Sequence, residues 1–186
     1  MRSGPGKTAR HIALLRGINL GGRNSLPMAR LVSIFETIGC QGVRTYIQSG
    51  NVVFEAPATL ARQVPGLVAD AIADQTGLAV PIMTRSAAEI QRLVDANPFV
   101  KPGADLSVLH VGFLAARPTR AHLAALDPDR SPPDECVSDG RELYLRCPNG
   151  LARTKFTNAY FDRTLGTVTT IRNWRTTLRL LELAAT

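Results

Sequence analysis

The chain has 186 residues, 45% of them hydrophobic and 20% charged, with a formal net charge of +7. That length is enough for one domain or two small halves, and every apolar stretch falls well short of the roughly 20 residues a bilayer-spanning helix needs. Three cysteines, Cys40, Cys136 and Cys147, make an odd number without CxxC spacing, which argues against a disulfide framework and for reduced thiols in a cytoplasm.

Residues 1–10 read as a disordered tail without the apolar run of a signal peptide. His11–Leu15 is a short apolar run expected as a buried strand. A polar loop follows, from Arg16 through Gly17, Asn19, Gly21, Gly22, Arg23 and Asn24 to Pro27. Met28, Leu31, Val32, Ile34, Phe35 and Ile38 then recur at helical spacing, and Gly39 supplies the stop. Residues 43–48 and 51–55 read as two strands joined by a two-residue Ser49-Gly50 turn. A helix is expected over residues 59–75, ending at Gly77, and a strand over 78–84.

That order, β-α-β-β-α-β, is the ferredoxin-like split βαβ motif. A helix over 86–96 starts with Ser86 as cap and Glu89 at the capping-box position. After a loop at 98–104, residues 106–115 read as a strand and 119–126 as a short helix. Residues 135–138 and 141–147 read as a hairpin around Asp139-Gly140. The tail reads as two helices, 153–164 and 171–183, broken at Gly166, with Thr169 or Thr170 capping the last. The expected fold class is therefore α+β: a ferredoxin-like first half (11–85) and a second, similar but incomplete half (86–186) with a helical C-terminus, the two packed as one compact unit. Internal duplication is suggested by element order alone.

In a split βαβ unit, strands one and two are parallel and strand three lies antiparallel between them. The exit of strand one and the Ser49 turn then share one end of the sheet with the first helix N-terminus. Arg16, Asn19, Gly21, Gly22, Arg23, Asn24, Gln48, Ser49 and Asn51 converge there. Glycines permit close backbone approach, arginines supply guanidinium forks, and a helix N-terminus favours negative charge. The first acid in the chain is Glu36, so the loop holds no carboxylate for general-base or metal work. The alternative is that the glycines only shape a long connection and the asparagines cap turns.

Charge is uneven. Residues 1–30 carry six basic side chains and no acid, 31–150 ten against thirteen, and 151–186 six against two. Basic ends favour an anionic partner, while abundant solvated arginine is the plainer explanation. In the tail, Lys155 and Asn158 sit in a basic segment, and Arg172 and Asn173 fall in the first turn of the last helix, where they can meet an anion. Gly6-Lys7-Thr8 is not a phosphate-binding P-loop, because no strand can precede it. His11, His110 and His122 have no ligand spacing, and no motif calls for a metal or cofactor. Cys136, placed opposite Leu143, is not expected to pair with Cys147.

The runs Leu14–Asn24, Pro27-Met28, Thr45–Phe54, Thr154–Asn158 and Arg172–Trp174 closely resemble the bacterial family called domain of unknown function 1697 (DUF1697). Arg23 stands where lysine is commoner in that family, and Asp162 where glutamate is expected. The resemblance covers about residues 11–184. It implies a cytoplasmic bacterial protein of α+β, ferredoxin-like character and implies no activity.

The residues support a protein that binds a phosphorylated or otherwise anionic small molecule, nucleotides included, at the Gly/Asn-rich loop. Arg16 and Arg23 would pair with the anion, and Lys155 and Arg172 would close over it. Whether chemistry follows is left open. The alternatives are an RNA-binding module and a scaffold or oligomerisation protein. RRM-type readers need aromatics on the central strands; strand one has none and strand three only Phe54.

Overall fold

The computed structural model describes residues 8–21 and 24–186. In the first unit, β1 (Thr8–Leu15) leads through the Gly/Asn loop to α1 (Met28–Thr37), then β2 (Gln41–Tyr46), β3 (Asn51–Pro57), α2 (Ala58–Thr76) and β4 (Ile82–Ser86). The sheet order is β2-β3-β1-β4, with every neighbouring pair antiparallel. This is the expected ferredoxin-like arrangement, with β3 between β1 and β2. The strand starts at Thr8, so residues 8–10 belong to the sheet and not to a tail; residues 1–7 lie outside the described residues. The strand expected over 78–84 lies at Ile82–Ser86.

Ile12 to Leu15 are all buried, which is why β1 reads as an unbroken apolar run and not as an alternating one. Ala13, Leu15, Val52 and Phe54 join Leu31, Ile34 and Phe35 of α1 and Val64, Val68 and Ile72 of α2 in one core. These spacings of three and four put each helix's apolar stripe on the sheet. Gly77 ends α2 in the left-handed region at φ 72°, as its place after the last periodic residue suggests.

The second unit repeats the order. α3 (Ala87–Asp95) leads to β5 (Leu109–Leu114), α4 (Arg120–Ala124), β6 (Glu135–Asp139), β7 (Glu142–Arg146), α5 (Asn158–Leu165), β8 (Thr169–Asn173) and α6 (Trp174–Ala185). Its sheet runs β6-β7-β5-β8, again antiparallel throughout. The second half is thus complete: the segment read as the start of the last helix contains its missing strand. Thr169, Thr170 and Ile171 are β-branched in succession, which suits a strand better than a helix turn.

By contacts the chain divides into two compact units, Met1–Gln91 with Leu180–Thr186, and Arg92–Arg179. The repeat extends to register. His11 pairs with Ser86 and Ile12 with Arg85 across β1 and β4; His110 pairs with Asn173 and Val111 with Arg172 across β5 and β8. In both units the paired strand leads straight into a helix whose cap is that same Ser86 or Asn173.

Candidate functional site

The loop after β1 is organised by one side chain. Asn19 donates from Nδ2 to the carbonyls of Leu26 and Gln48, each at 2.9 Å, and its Oδ1 accepts from Leu26 N–H at 2.7 Å. Its own N–H donates to Asn24 O at 3.0 Å, and Asn24 Nδ2 donates to Gly17 O at 2.8 Å. Both asparagines sit in the left-handed region, at φ 53° and 52°, a conformation asparagine tolerates better than most residues. Ile18 and Leu26 are buried and anchor the loop in the first core.

The β2–β3 turn is drawn into the same construction. Tyr46 pairs with Asn51, so the connection is four residues, Ile47–Gly50, and not the two-residue turn expected at Ser49-Gly50. Asn51, fully buried, donates from Nδ2 to Tyr46 O at 3.2 Å and to Ser49 Oγ at 2.9 Å. Leu15 N–H donates to Gly50 O at 2.8 Å and Arg16 N–H to Pro81 O at 2.9 Å. A Cβ at Gly50 would lie 2.7 Å from Leu15 Cβ, so only glycine lets the two loops approach this closely.

The structure therefore brings together Arg16, Asn19, Gly21, Asn24, Gln48, Ser49 and Asn51, together with the α1 N-terminus, at one end of the first sheet. Gly22 and Arg23 lie outside the described residues. The amides of Asn19, Asn24 and Asn51 are engaged with backbone carbonyls of the two connections and with Ser49 Oγ, as the turn-capping alternative has it. Arg16 is half-buried and Gly21 is exposed. Pro27 occupies the N-cap of α1 without a side-chain hydrogen bond, and the first turn carries no acid. Its leading N–H groups are the ready-made anion donors of a helix start.

The remaining predicted residues belong to the second unit. α5 begins at Asn158, capped by Thr157, and not at Arg153. Lys155 N–H donates to Ser131 Oγ at 2.9 Å and its carbonyl accepts from Arg130 Nε at 3.0 Å, while its side chain is exposed. Asn158 is half-buried, with Oδ1 shielded and without a hydrogen-bond partner. Arg172 lies on β8 and not in a helix. It donates to Thr170 Oγ1 at 2.8 Å and to Ile171 O at 3.0 Å, and burial pulls its pKa down to about 10. Asn173 is the cap of α6, accepting Thr176 N–H at 2.7 Å, in place of Thr169 or Thr170.

Two features escaped the sequence. Ile47 sits at φ 49° with half its surface exposed, and a β-branched residue gives no sign of such a conformation. Ser131, Asp134 and Thr154 form a buried polar cluster, with Ser131 Oγ donating to Asp134 Oδ2 at 2.7 Å. Elsewhere, Cys136 pairs with Leu145 and not Leu143, because the hairpin turn is Gly140-Arg141. All three cysteines are free thiols, with burial pushing Cys40 and Cys147 to about 11 and Cys136 to about 12. Among the described residues no three His, Cys, Asp or Glu side chains gather as a metal site, and no helix is long and apolar enough to cross a membrane.

The molecule is thus an α+β protein of two ferredoxin-like units, with an elaborated loop cluster at one sheet end of the first. Residues 8–144 match the family described as Protein of unknown function (DUF1697), and the chain belongs to that family. Among curated proteins none matches in sequence. Among solved structures the chain is similar to the conserved bacterial protein SP0830 from Streptococcus pneumoniae. The identity is 20% and the TM-score 0.66, over 96% of this chain and 99% of that one. That likeness concerns the fold.

Proposed function

We propose that the protein binds a phosphorylated or otherwise anionic small molecule, nucleotides included, at the loop cluster of the first unit. One observation carries this reading. The second unit joins β5 to α4 through five residues, Ala115–Thr119, and caps the helix with the Thr119 side chain. The first unit spends twelve residues, Arg16–Pro27, on the equivalent connection and leaves its helix start without a side-chain cap. The topology closes with the short form, so the long form serves something besides closure.

In this reading the ligand contacts come from Arg16 and the N–H groups at the start of α1, with Arg30 in that first turn adding charge. Asn19, Asn24, Ser49 and Asn51 hold those groups in place from behind. Fixing the loop before binding lowers the ordering cost that association otherwise carries. If chemistry occurs, electrostatic stabilisation of negative charge is what these groups offer. The free thiols are in keeping with a cytoplasmic location.

The small-anion reading is favoured over RNA binding by the first sheet. Ile12, Leu14, Val53 and Met83 are each at most 2% exposed, which leaves no open aromatic platform on these strands for stacking bases. A thermal-shift panel of inorganic phosphate, nucleotides and sugar phosphates tests the proposal. A bound anion raises the unfolding midpoint of the wild type by mass action and raises that of Arg16→Ala less. No shift from any anion, or equal shifts in both proteins, contradicts it. Steeply salt-dependent RNA binding undiminished in Arg16→Ala would favour the alternative.

A further inference from the structure

The segment between α3 and β5 shapes a concave surface within the second unit. Phe99 N–H donates to Asn97 Oδ1 at 3.0 Å, Val100 N–H to Asn97 O at 3.3 Å, and Ala104 N–H to Lys101 O at 3.0 Å. These consecutive turns, with Glu135 at the start of β6 and Arg146 at the end of β7, line a cleft of about 410 Å³. Its wall combines two chemistries. Pro98, Phe99 and Pro102 supply apolar rings; Lys101, Glu135 and Arg146 supply charge.

Arg146 Nη1 pairs with Glu135 Oε1 at 2.7 Å across the β6–β7 ladder, and both side chains remain about half exposed. The guanidinium keeps further N–H groups beyond that single contact. Lys101 is exposed, and two cations face one carboxylate, so the cleft carries a net positive charge. Asn97, only 6% exposed, retains an Nδ2 without a hydrogen-bond partner at the root of the same loop.

The geometry points to a second ligand site here, for a small organic monoanion bearing a flat ring, of the aromatic carboxylate class. The ring lies against Phe99 and the prolines, and the carboxylate meets Lys101 and the free edge of Arg146. This site is independent of the loop at Arg16, and its occupancy requires nothing of the first unit.

Benzoate, with acetate as the ringless control, tests the assignment by calorimetric titration and amide NMR on the full chain. Benzoate binds at least about tenfold more tightly than acetate, as burying a phenyl ring in a preformed cleft requires. The responding amides are those of Phe99, Lys101, Gly103, Ala104, Glu135 and Arg146. Lys101→Gln weakens binding several-fold. Glu135→Gln strengthens it, because it removes a negative charge and releases Arg146. Both positions are exposed, and unchanged amide spectra elsewhere verify the fold of each variant. Benzoate affinity that ignores both charge changes, a response at other amides, or no saturable binding overturns the site.

Discussion

The two units share a sheet order and differ at the loops that follow their first strands. In the second unit, five residues and one threonine cap carry the chain from β5 into α4, and two residues turn β6 into β7. In the first, the equivalent connections take twelve and four residues. They are bound to each other by Asn19, which reaches from the first loop to Gln48 in the second. The contrast separates what the fold needs from what has been added to it. The described part of the longer connections holds two left-handed asparagines, a glycine packed against Leu15 and an isoleucine in a conformation it resists.

Glycine substitutions at the paired turns give the sharpest contrast. Gly50→Ala is expected to cost about 2–4 kcal/mol, because the methyl meets Leu15 Cβ at 2.7 Å and φ is +76°. Gly140→Ala, at φ +61° with its nearest neighbour a Glu142 carboxylate oxygen at 3.6 Å, should cost only about 1 kcal/mol. Urea denaturation of both variants checks this. Equal costs would mean that the close packing at Gly50 is unimportant.

Asn19→Ala removes three side-chain hydrogen bonds and places alanine in the left-handed region, and should destabilise by about 2 kcal/mol. Faster hydrogen exchange at Leu26 N–H should accompany it, since that group loses its acceptor. Ile47→Gly works in the other direction. Relieving a β-branched residue at φ 49° should stabilise by about 1 kcal/mol, and a drop in melting temperature would show instead that Ile47 packs favourably where it stands.

The smallest effect concerns a feature the units share. Burial lowers the pKa of both His11 and His110 below the usual 6.5. The unfolded chain therefore takes up protons at a higher pH than the folded one. Stability is unaffected by these groups above about pH 6.5 and declines as pH falls below it. His11→Gln combined with His110→Gln should flatten stability against pH across that window. An unchanged slope would remove these histidines from the acid response.

Where local chemistry decided the structure, the sequence was informative. Ser86 and Glu89 form the reciprocal capping box their spacing indicates, with Ser86 N–H to Glu89 Oε2 at 2.7 Å and Glu89 N–H to Ser86 Oγ at 3.2 Å. The split βαβ order placed the Arg16 loop and the Ser49 turn at one sheet end, and Asn19 Nδ2 spans them. Pairing over longer distances was less legible. Trp174, Leu178 and Leu181 set a helical period that extends backwards over Ile171 and hid β8, whose partner β5 lies about sixty residues earlier. The hairpin at Gly140 slipped by one residue because its register is fixed by Asp139 pairing with Glu142, moving Cys136 opposite Leu145. The asparagine roles were undecidable for a physical reason: the same amide serves a ligand or a neighbouring carbonyl, and only geometry distinguishes them.

Under the proposed function, the long loops of the first unit bind an anion and the short loops of the second do not. Residue-resolved amide NMR on addition of inorganic phosphate, then of adenosine monophosphate, tests it most directly. Arg16, Gly17, Gly21, Ala29, Arg30 and Gly50 should shift together and saturate, while Ala115, Ala116, Arg117 and Thr119 stay still. Equal shifts in both sets, or none in the first, would rule out anion binding at the Arg16 loop.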